Sequence, residues 1–380
     1  MKIGLVCPYN ITKHGGVLEV VLALEAGLEK RGHSVRVITP RPRGIEADTM
    51  PDTIFVGTST DFRTLSFSDT TSQVSSTADS EKIDAMLAEE KFDILHFHEP
   101  WMPLLSRQLL QRSTSVNIGT FHAKVSDALM SRTILKVVTP YLKSVQKYLH
   151  ELTAVSDTAA EYVTGLTDQP ITIIPNGIDL DKYQHAQAPK RSANSPKTIL
   201  YVGRLERRKG VQYLLRAYGA LTQNNTDVQL IIAGDGPERE RLELLAEDMH
   251  LPNTKFLGYV SEDLKLELLA EADLFCSPAV FGESFGIVLL EAMATGTVCV
   301  AGNNPGYTGV MRELGAVSVV NPHDADEFGR RLELLLQEAD LRALWQTWAK
   351  EYIKQFNYPG IVKRYEEFYQ EALEQHGHRR

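Results

Sequence analysis

The chain has 380 residues, too many for one ordinary core and suited to two domains of about 150–200 residues each. Hydrophobic residues make up 43% and charged residues 23%, the profile of a soluble globular protein. The formal net charge of −9 argues against general attraction to nucleic acid, and no run approaches the ~20 apolar residues needed to span a bilayer, so any membrane contact would be peripheral.

The first strand reads Ile3 to Cys7, a loop runs from Pro8 to Gly16, and an amphipathic helix follows from Val17 to Lys30. Gly32 ends it, and a second strand, Val35 to Thr39, completes a βαβ unit, the sign of a parallel sheet. Residues 57–80, rich in Ser, Thr and Asp, read as a mobile loop with room for a short strand near Thr64–Phe67. Strands follow at Ile94–Phe97, Asn117–Phe121, Leu152–Val155 and Ile171–Ile174. The polar, aperiodic stretch from Gln184 to Lys197 reads as a linker. A second series then begins, with strands at Thr198–Val202, Val228–Ala233, Lys255–Leu257, Leu274–Ser277 and Val298–Ala301 and helical patterns between them. Helical patterns at Asp326–Gln337, Leu341–Gln355 and Pro359–Glu374 close the chain. The prediction is α/β: two Rossmann-like domains, 1–185 and 196–356, facing each other across a cleft where ligands bind beyond the carboxyl ends of the strands.

The three cysteines, Cys7, Cys276 and Cys299, sit in apolar stretches without a CxxC pair and read as reduced core residues of a reducing compartment. The opening apolar run is too short for a signal peptide, and the sequons at Asn10 and Asn224 read as chance matches.

The strongest chemical signal is Glu283-Ser284-Phe285-Gly286-Ile287, followed by Glu291 eight positions after Glu283. The exposed N–H groups of a helix start suit a diphosphate, and a carboxylate at the same end can accept hydrogen bonds from sugar hydroxyls. A plain acidic helix start would look similar on dipole grounds. In Gly203-Arg204-Leu205-Glu206-Arg207-Arg208-Lys209-Gly210, Arg204 and Lys209 flank a short loop and can grip two phosphates. Arg207 and Arg208 read as a solvated basic turn. Gly15-Gly16 would allow close backbone approach to a ligand, but without GxGxxG it speaks against a dinucleotide dehydrogenase. His122, at the end of a strand, can polarise or hydrogen-bond a reacting sugar. His96 and His98 are read as facing opposite sides of their strand, which argues against a two-histidine metal site. The Gly234-Asp235-Gly236-Pro237 turn fits ligand contact or a simple tight turn.

Taken together, Gly-Arg-x4-Lys-Gly, Gly-Asp-Gly-Pro and Glu-x7-Glu, in that order, resemble the family 4 retaining glycosyltransferases of GT-B fold over essentially the whole chain. The stretches Ile3–Tyr9, Gly15-Gly16-Val17, Asp93–Pro100 and Thr120-Phe121-His122 resemble members that transfer mannose to phosphatidylinositol. The resemblance implies a nucleotide-diphosphate sugar as co-substrate, GDP-mannose as the best guess, a lipid-linked acceptor and no cofactor or metal. It implies that Arg204 and Lys209 bind the donor pyrophosphate, Glu283 the transferred sugar, and Ser284, Phe285, Gly286 and Ile287 sugar and phosphate through their backbone. Glu291 would bind the ribose, with Val260 and Lys265 beside the base. Gly16 would approach the donor phosphate, Tyr9 the acceptor head group, and His122 the reacting centre. The helix at 359–376 would cross back onto the N-terminal domain.

One departure concerns the membrane. Relatives of this kind carry a basic amphipathic helix before the strand at Asp93–Phe97, whereas Ser80 to Lys91 here is acidic and would be repelled by anionic lipid. Residues 101–150, with seven basic and one acidic residue, offer a substitute: Arg132, Lys136, Lys143 and Lys147 fall within about 60° on a helical wheel, near Arg107 and Arg112, although Pro140 would kink that helix. A solvated face gives the same pattern. The competing functions are a UDP-sugar hexosyltransferase acting on a lipid or soluble acceptor, a nucleotide-sugar 2-epimerase, which needs no acceptor, and a non-catalytic nucleotide-sugar binder. The location expected is cytoplasmic, with peripheral contact at the inner face of the cell membrane.

Overall fold

The computed structural model describes the chain except for residues 13–14, 43–49, 51, 63–71, 76–78, 103–104, 124–131, 185–194, 224–226 and 378–380. The chain divides into two compact units, 1–177 joined by 358–380, and 178–357.

The first unit is built on an eight-stranded sheet of β1 (Lys2–Val6), β2 (Ser34–Arg41), β3 (Thr53–Phe62), β4 (Ser72–Ser75), β5 (Ile94–His98), β6 (Val116–Phe121), β7 (Glu151–Ala154) and β8 (Ile171–Ile173). Their spatial order is β4-β3-β2-β1-β5-β6-β7-β8. Every pairing is parallel except β3 with β4. The order reverses at β1, so the crevice for a ligand opens beyond the carboxyl ends of β1 and β5. The central strands are largely apolar because helices cover the parallel sheet: Ile3, Leu5, Ile94, Leu95 and Ile118 are fully buried.

Two expectations change here. The segment 57–80 is not simply a loop, because β3 runs through Phe62 and pairs antiparallel with β4; alternating Thr and Ser suit an extended edge even where apolar residues are few. The strand considered near Thr64–Phe67 lies outside the described residues, as does most of the predicted linker. The units divide at Gly177 and Ile178, ahead of that polar stretch, and the short helix Leu180–Gln184 already belongs to the second unit.

The helix Gly16–Lys30 buries Leu18, Val20, Val21, Leu24 and Leu28, each worth about 1.5–3 kcal/mol relative to exposure. Part of its cover is the helix Tyr358–His376, which carries the chain back into the first unit and buries Ile361, Val362, Tyr365 and Tyr369. Gly27 lets the two helices approach, since a Cβ there would run into the Val362 side chain. Glu366 ties them at the rim, accepting from Arg31 Nε at 2.6 Å and bonding His33 Nε2 at 2.7 Å.

The second unit has a six-stranded parallel sheet of β9 (Lys197–Val202), β10 (Val228–Ala233), β11 (Thr254–Gly258), β12 (Leu274–Ser277), β13 (Val298–Gly302) and β14 (Val319–Val320), ordered β11-β10-β9-β12-β13-β14. Its switch point lies between β9 and β12. Among the described residues no helix is long and apolar enough to cross a membrane.

Candidate active site

In the second unit the loop after β9 is fastened on two sides. Gly203 N donates to Ala233 O at 3.0 Å and Leu205 N to Asp235 O at 2.9 Å, which joins it to the Gly234–Pro237 turn after β10. Val280 N donates to Arg208 O at 2.9 Å, which joins it to the segment after β12. Gly210 lies in the left-handed region at φ 77°, and a Cβ there would strike the Pro278 carbonyl, so only glycine permits this approach.

That backbone brings the charges together. Glu283, at the end of the segment after β12, receives Arg208 at 2.6 Å and Lys209 at 2.8 Å on the same oxygen, Oε1. Glu206 is buried and binds Arg204 at 3.2 Å and Arg208 at 2.8 Å. Arg208 is therefore not the solvated residue its place in a basic run implied. Its side chain is 12% exposed and joins two carboxylates, while Arg207 is exposed. Burial works to lower the Arg208 pKa, but Glu283 and Glu206 outweigh it and raise the value. Arg204 keeps half its side chain in solvent, where it can meet an anion.

The helix that follows begins at Ile287, and its N-cap residue, Gly286 at φ 104°, has no side chain to cap the first N–H groups. Such a terminus attracts phosphate. Ser284 lies on the way in, and Phe285 is buried edge-on against Phe356 at 5.8 Å. Gly306 packs on the Glu283 carbonyl where a Cβ would not fit, and Asn304 fixes that neighbour by donating to Ala279 O at 2.8 Å.

Glu291 stands in the second turn of the Ile287–Ala294 helix and is 7% exposed, not a solvated glutamate. Its Oε1 accepts from Tyr183 Oη at 2.8 Å and Lys265 Nζ at 3.0 Å. Burial lowers the Lys265 pKa, yet Glu291 and Glu262 reverse the sign and keep it charged. Val260, half-buried, closes the turn before the helix Glu262–Glu271 that carries Lys265. Tyr183 is a residue sequence reasoning missed, because it lies in a five-residue helix beside the polar stretch.

In the first unit the ends of β1, β5 and β6 gather Tyr9, Glu99 and His122. Tyr9 sits after β1, its hydroxyl raised well above its usual pKa by burial and then by Glu99. Glu99 is fully buried and takes a left-handed backbone, φ 52°. Its Oε1 accepts from His122 N and Ala123 N, both at 2.8 Å, and its Oε2 accepts from Trp101 Nε1. Burial pushes this carboxyl up to about 8 against those backbone bonds. The role of Glu99 was not assigned from sequence although it stands in the quoted Asp93–Pro100 stretch.

His122 is 7% exposed, and its Nε2 lies 2.9 Å from His98 Nδ1. His96 and His98 do not face opposite sides. Residues two apart on a strand share a face, and the two rings lie 4.2 Å apart. His96 is spent on structure, bonding Tyr369 Oη and Thr120 Oγ1, each at 2.6 Å. Gly15 and Gly16 are exposed at the start of the Gly16–Lys30 helix, and neither has a positive φ.

Of the basic stripe, the side chains of Arg132 and Lys136 lie outside the described residues. Lys143 and Lys147 are exposed, and the helix Arg132–Gln146 runs through Pro140. Arg112 turns away to Asp84 at 3.2 Å and Ser80 at 2.8 Å, on the acidic helix Ser80–Glu90.

A family model for group 1 glycosyl transferases matches residues 184–352, and one for glycosyltransferase family 4 matches residues 14–182. The phosphatidyl-myo-inositol mannosyltransferase of Mycolicibacterium smegmatis is 32% identical over 362 residues, covering 94% of this chain and 90% of that protein. Among solved structures, sucrose-phosphate synthase from Thermosynechococcus elongatus superposes with a TM-score of 0.78 at 21% identity, covering 98% of this chain and 99% of that one. Anabaena HepE in complex with UDP-glucose gives 0.74 at 18%, covering 98% and 100%. The two Rossmann-like sheets give the α/β GT-B fold, and the family models and the mycobacterial relative make the chain a glycosyltransferase of that class. The chain belongs to glycosyltransferase family 4.

Proposed function

We propose that the protein transfers mannose from GDP-mannose to phosphatidylinositol with retention of configuration. The observation that carries the chemistry is Glu283, held by Arg208 and Lys209 beside a helix start whose N-cap residue is Gly286. The similarity to the mycobacterial phosphatidyl-myo-inositol mannosyltransferase, over most of both chains, supports the choice of sugar and acceptor.

In this reading Arg204, Lys209 and the N–H groups from Gly286 and Ile287 onward neutralise the departing diphosphate, a fixed electrostatic contribution. Glu283 holds the sugar hydroxyls and Glu291 the ribose, with Val260 and Lys265 beside the base. Gly16 clears room for the donor phosphate, Tyr9 meets the acceptor and His122 the reacting sugar. The bond from the anomeric carbon to the diphosphate oxygen breaks. The acceptor oxygen bonds that carbon from the same face, and its proton passes to the leaving diphosphate. No resident cofactor or metal takes part. The protein acts in the cytoplasm and meets its lipid by peripheral contact.

Calorimetric titration of GDP-mannose against UDP-glucose, without added metal, tests the donor. GDP-mannose should bind preferentially and be consumed only when phosphatidylinositol vesicles are present. Preference for UDP-glucose, the sugar nucleotide bound in the HepE structure, would replace the donor and acceptor proposed. Consumption without an acceptor would point to an epimerase. Glu283→Ala should lose transfer by about 10²-fold or more.

A further inference from the structure

His122 has a definite tautomer, and His98 sets it. Burial holds His96 and His122 at about 3 and His98 well below its usual range, so at neutral pH each ring is uncharged and carries a single N–H. His98 Nδ1 and His122 Nε2, 2.9 Å apart, share one proton. If His122 supplied it, the proton of His98 would stand on Nε2. That atom is buried and has no hydrogen-bond partner, so the arrangement would seal an unpaired N–H in the core. The reverse arrangement seals only a bare lone pair. Unpaired buried N–H groups are the rarer defect in folded proteins, as the backbone shows.

We infer that His98 donates its Nδ1–H to His122 Nε2 and fixes His122 in the form protonated on Nδ1. His98 is thus a positioning residue, acting through His122. In that form the Nδ1 of His122 carries a proton and does not serve as a base. This agrees with a reaction in which the acceptor proton leaves on the diphosphate. Glu99 holds the His122 backbone while His98 holds its ring, and the partner of His98 on its other face is the His96 ring at 4.2 Å. The inference rests on the reading that His122 lies at the reacting centre.

Long-range proton–nitrogen correlation spectra of the full chain labelled with ¹⁵N-histidine test it directly, with the His122 signals identified by their loss in His122→Phe. His122 is expected to show a protonated Nδ1 and a bare Nε2, and the opposite pattern would overturn the inference. His98→Leu should leave His122 as a mixture of both forms. It should also lower kcat for transfer from GDP-mannose to phosphatidylinositol vesicles by about tenfold or more, with KM for the donor within about twofold. An unchanged kcat would remove the positioning role. Should His98→Leu fail to fold, the wild-type spectrum alone decides. If His122→Phe transfers normally, it is the placement of His122 at the reacting centre that fails, while the tautomer still stands or falls by the spectrum.

Discussion

Glu206 lies in the core of the second unit with its carboxylate between Arg204 and Arg208, and Arg208 reaches on to Glu283. Charges so placed are costly to leave unpaired, and breaking a buried pair from one side costs about 3–5 kcal/mol. Arg208→Ala should therefore lower stability by roughly 2–3 kcal/mol, discounted for the solvent that reaches one end of the chain, and weaken donor binding. Arg207→Ala, at an exposed position, should stay within about 0.5 kcal/mol. Thermal melts and donor titrations of both variants check this, and equal effects would contradict the roles given. Arg204, Lys209, Glu283 and Glu291 could be picked out in the sequence because they stand at set distances within two short motifs. Arg208 was not, since a run of three cations gives no sign of which one the backbone turns inward.

The strands β5 and β6 were also legible, as short apolar runs, but the polar chemistry at their ends was not. The pairing of His98 with His122 is a contact between strands, across 24 residues of chain, which no spacing rule within one strand exposes. These buried groups give the two strands a pH signature. The folded values of His96, His98 and His122 are depressed, so below about pH 6.5 the unfolded chain takes up protons that the native state refuses, and stability is lost as pH falls. Glu99 acts in the other sense. Its folded value is raised from 4.5 to about 8, so its share of stability is lost as pH rises through that window. Three groups against one make the acid side the steeper, each net proton being worth about 1.4 kcal/mol per pH unit. Hydrogen exchange at the β5 and β6 amides, corrected for intrinsic rates, should show protection falling from pH 6.5 to pH 5. Constant protection over that range would refute the neutral, buried state of the histidines.

At the scale of the molecule, residues 178–357 form a unit that is continuous in sequence, whereas the first unit is assembled from 1–177 and 358–380. Of the groups proposed to hold the donor, Arg204, Lys209, Lys265, Glu283 and Glu291 lie in the continuous one and Gly16 in the other. A fragment spanning 178–357 should fold by itself and bind GDP or UDP within about tenfold of the full chain, measured by calorimetry, and a fragment that neither folds nor binds would show that the unit depends on the rest of the chain. The other unit has no such independence. Its sheet lacks a cover over the Gly16–Lys30 helix, and His96 lacks Tyr369, until the helix Tyr358–His376 arrives. On the ribosome, the half made first must therefore wait, its apolar face unsealed, while the half made second is threaded out and folds. The nascent enzyme completes its core in the reverse of the order in which its two halves are begun, and a chain released early would carry a finished second unit on an unfinished protein.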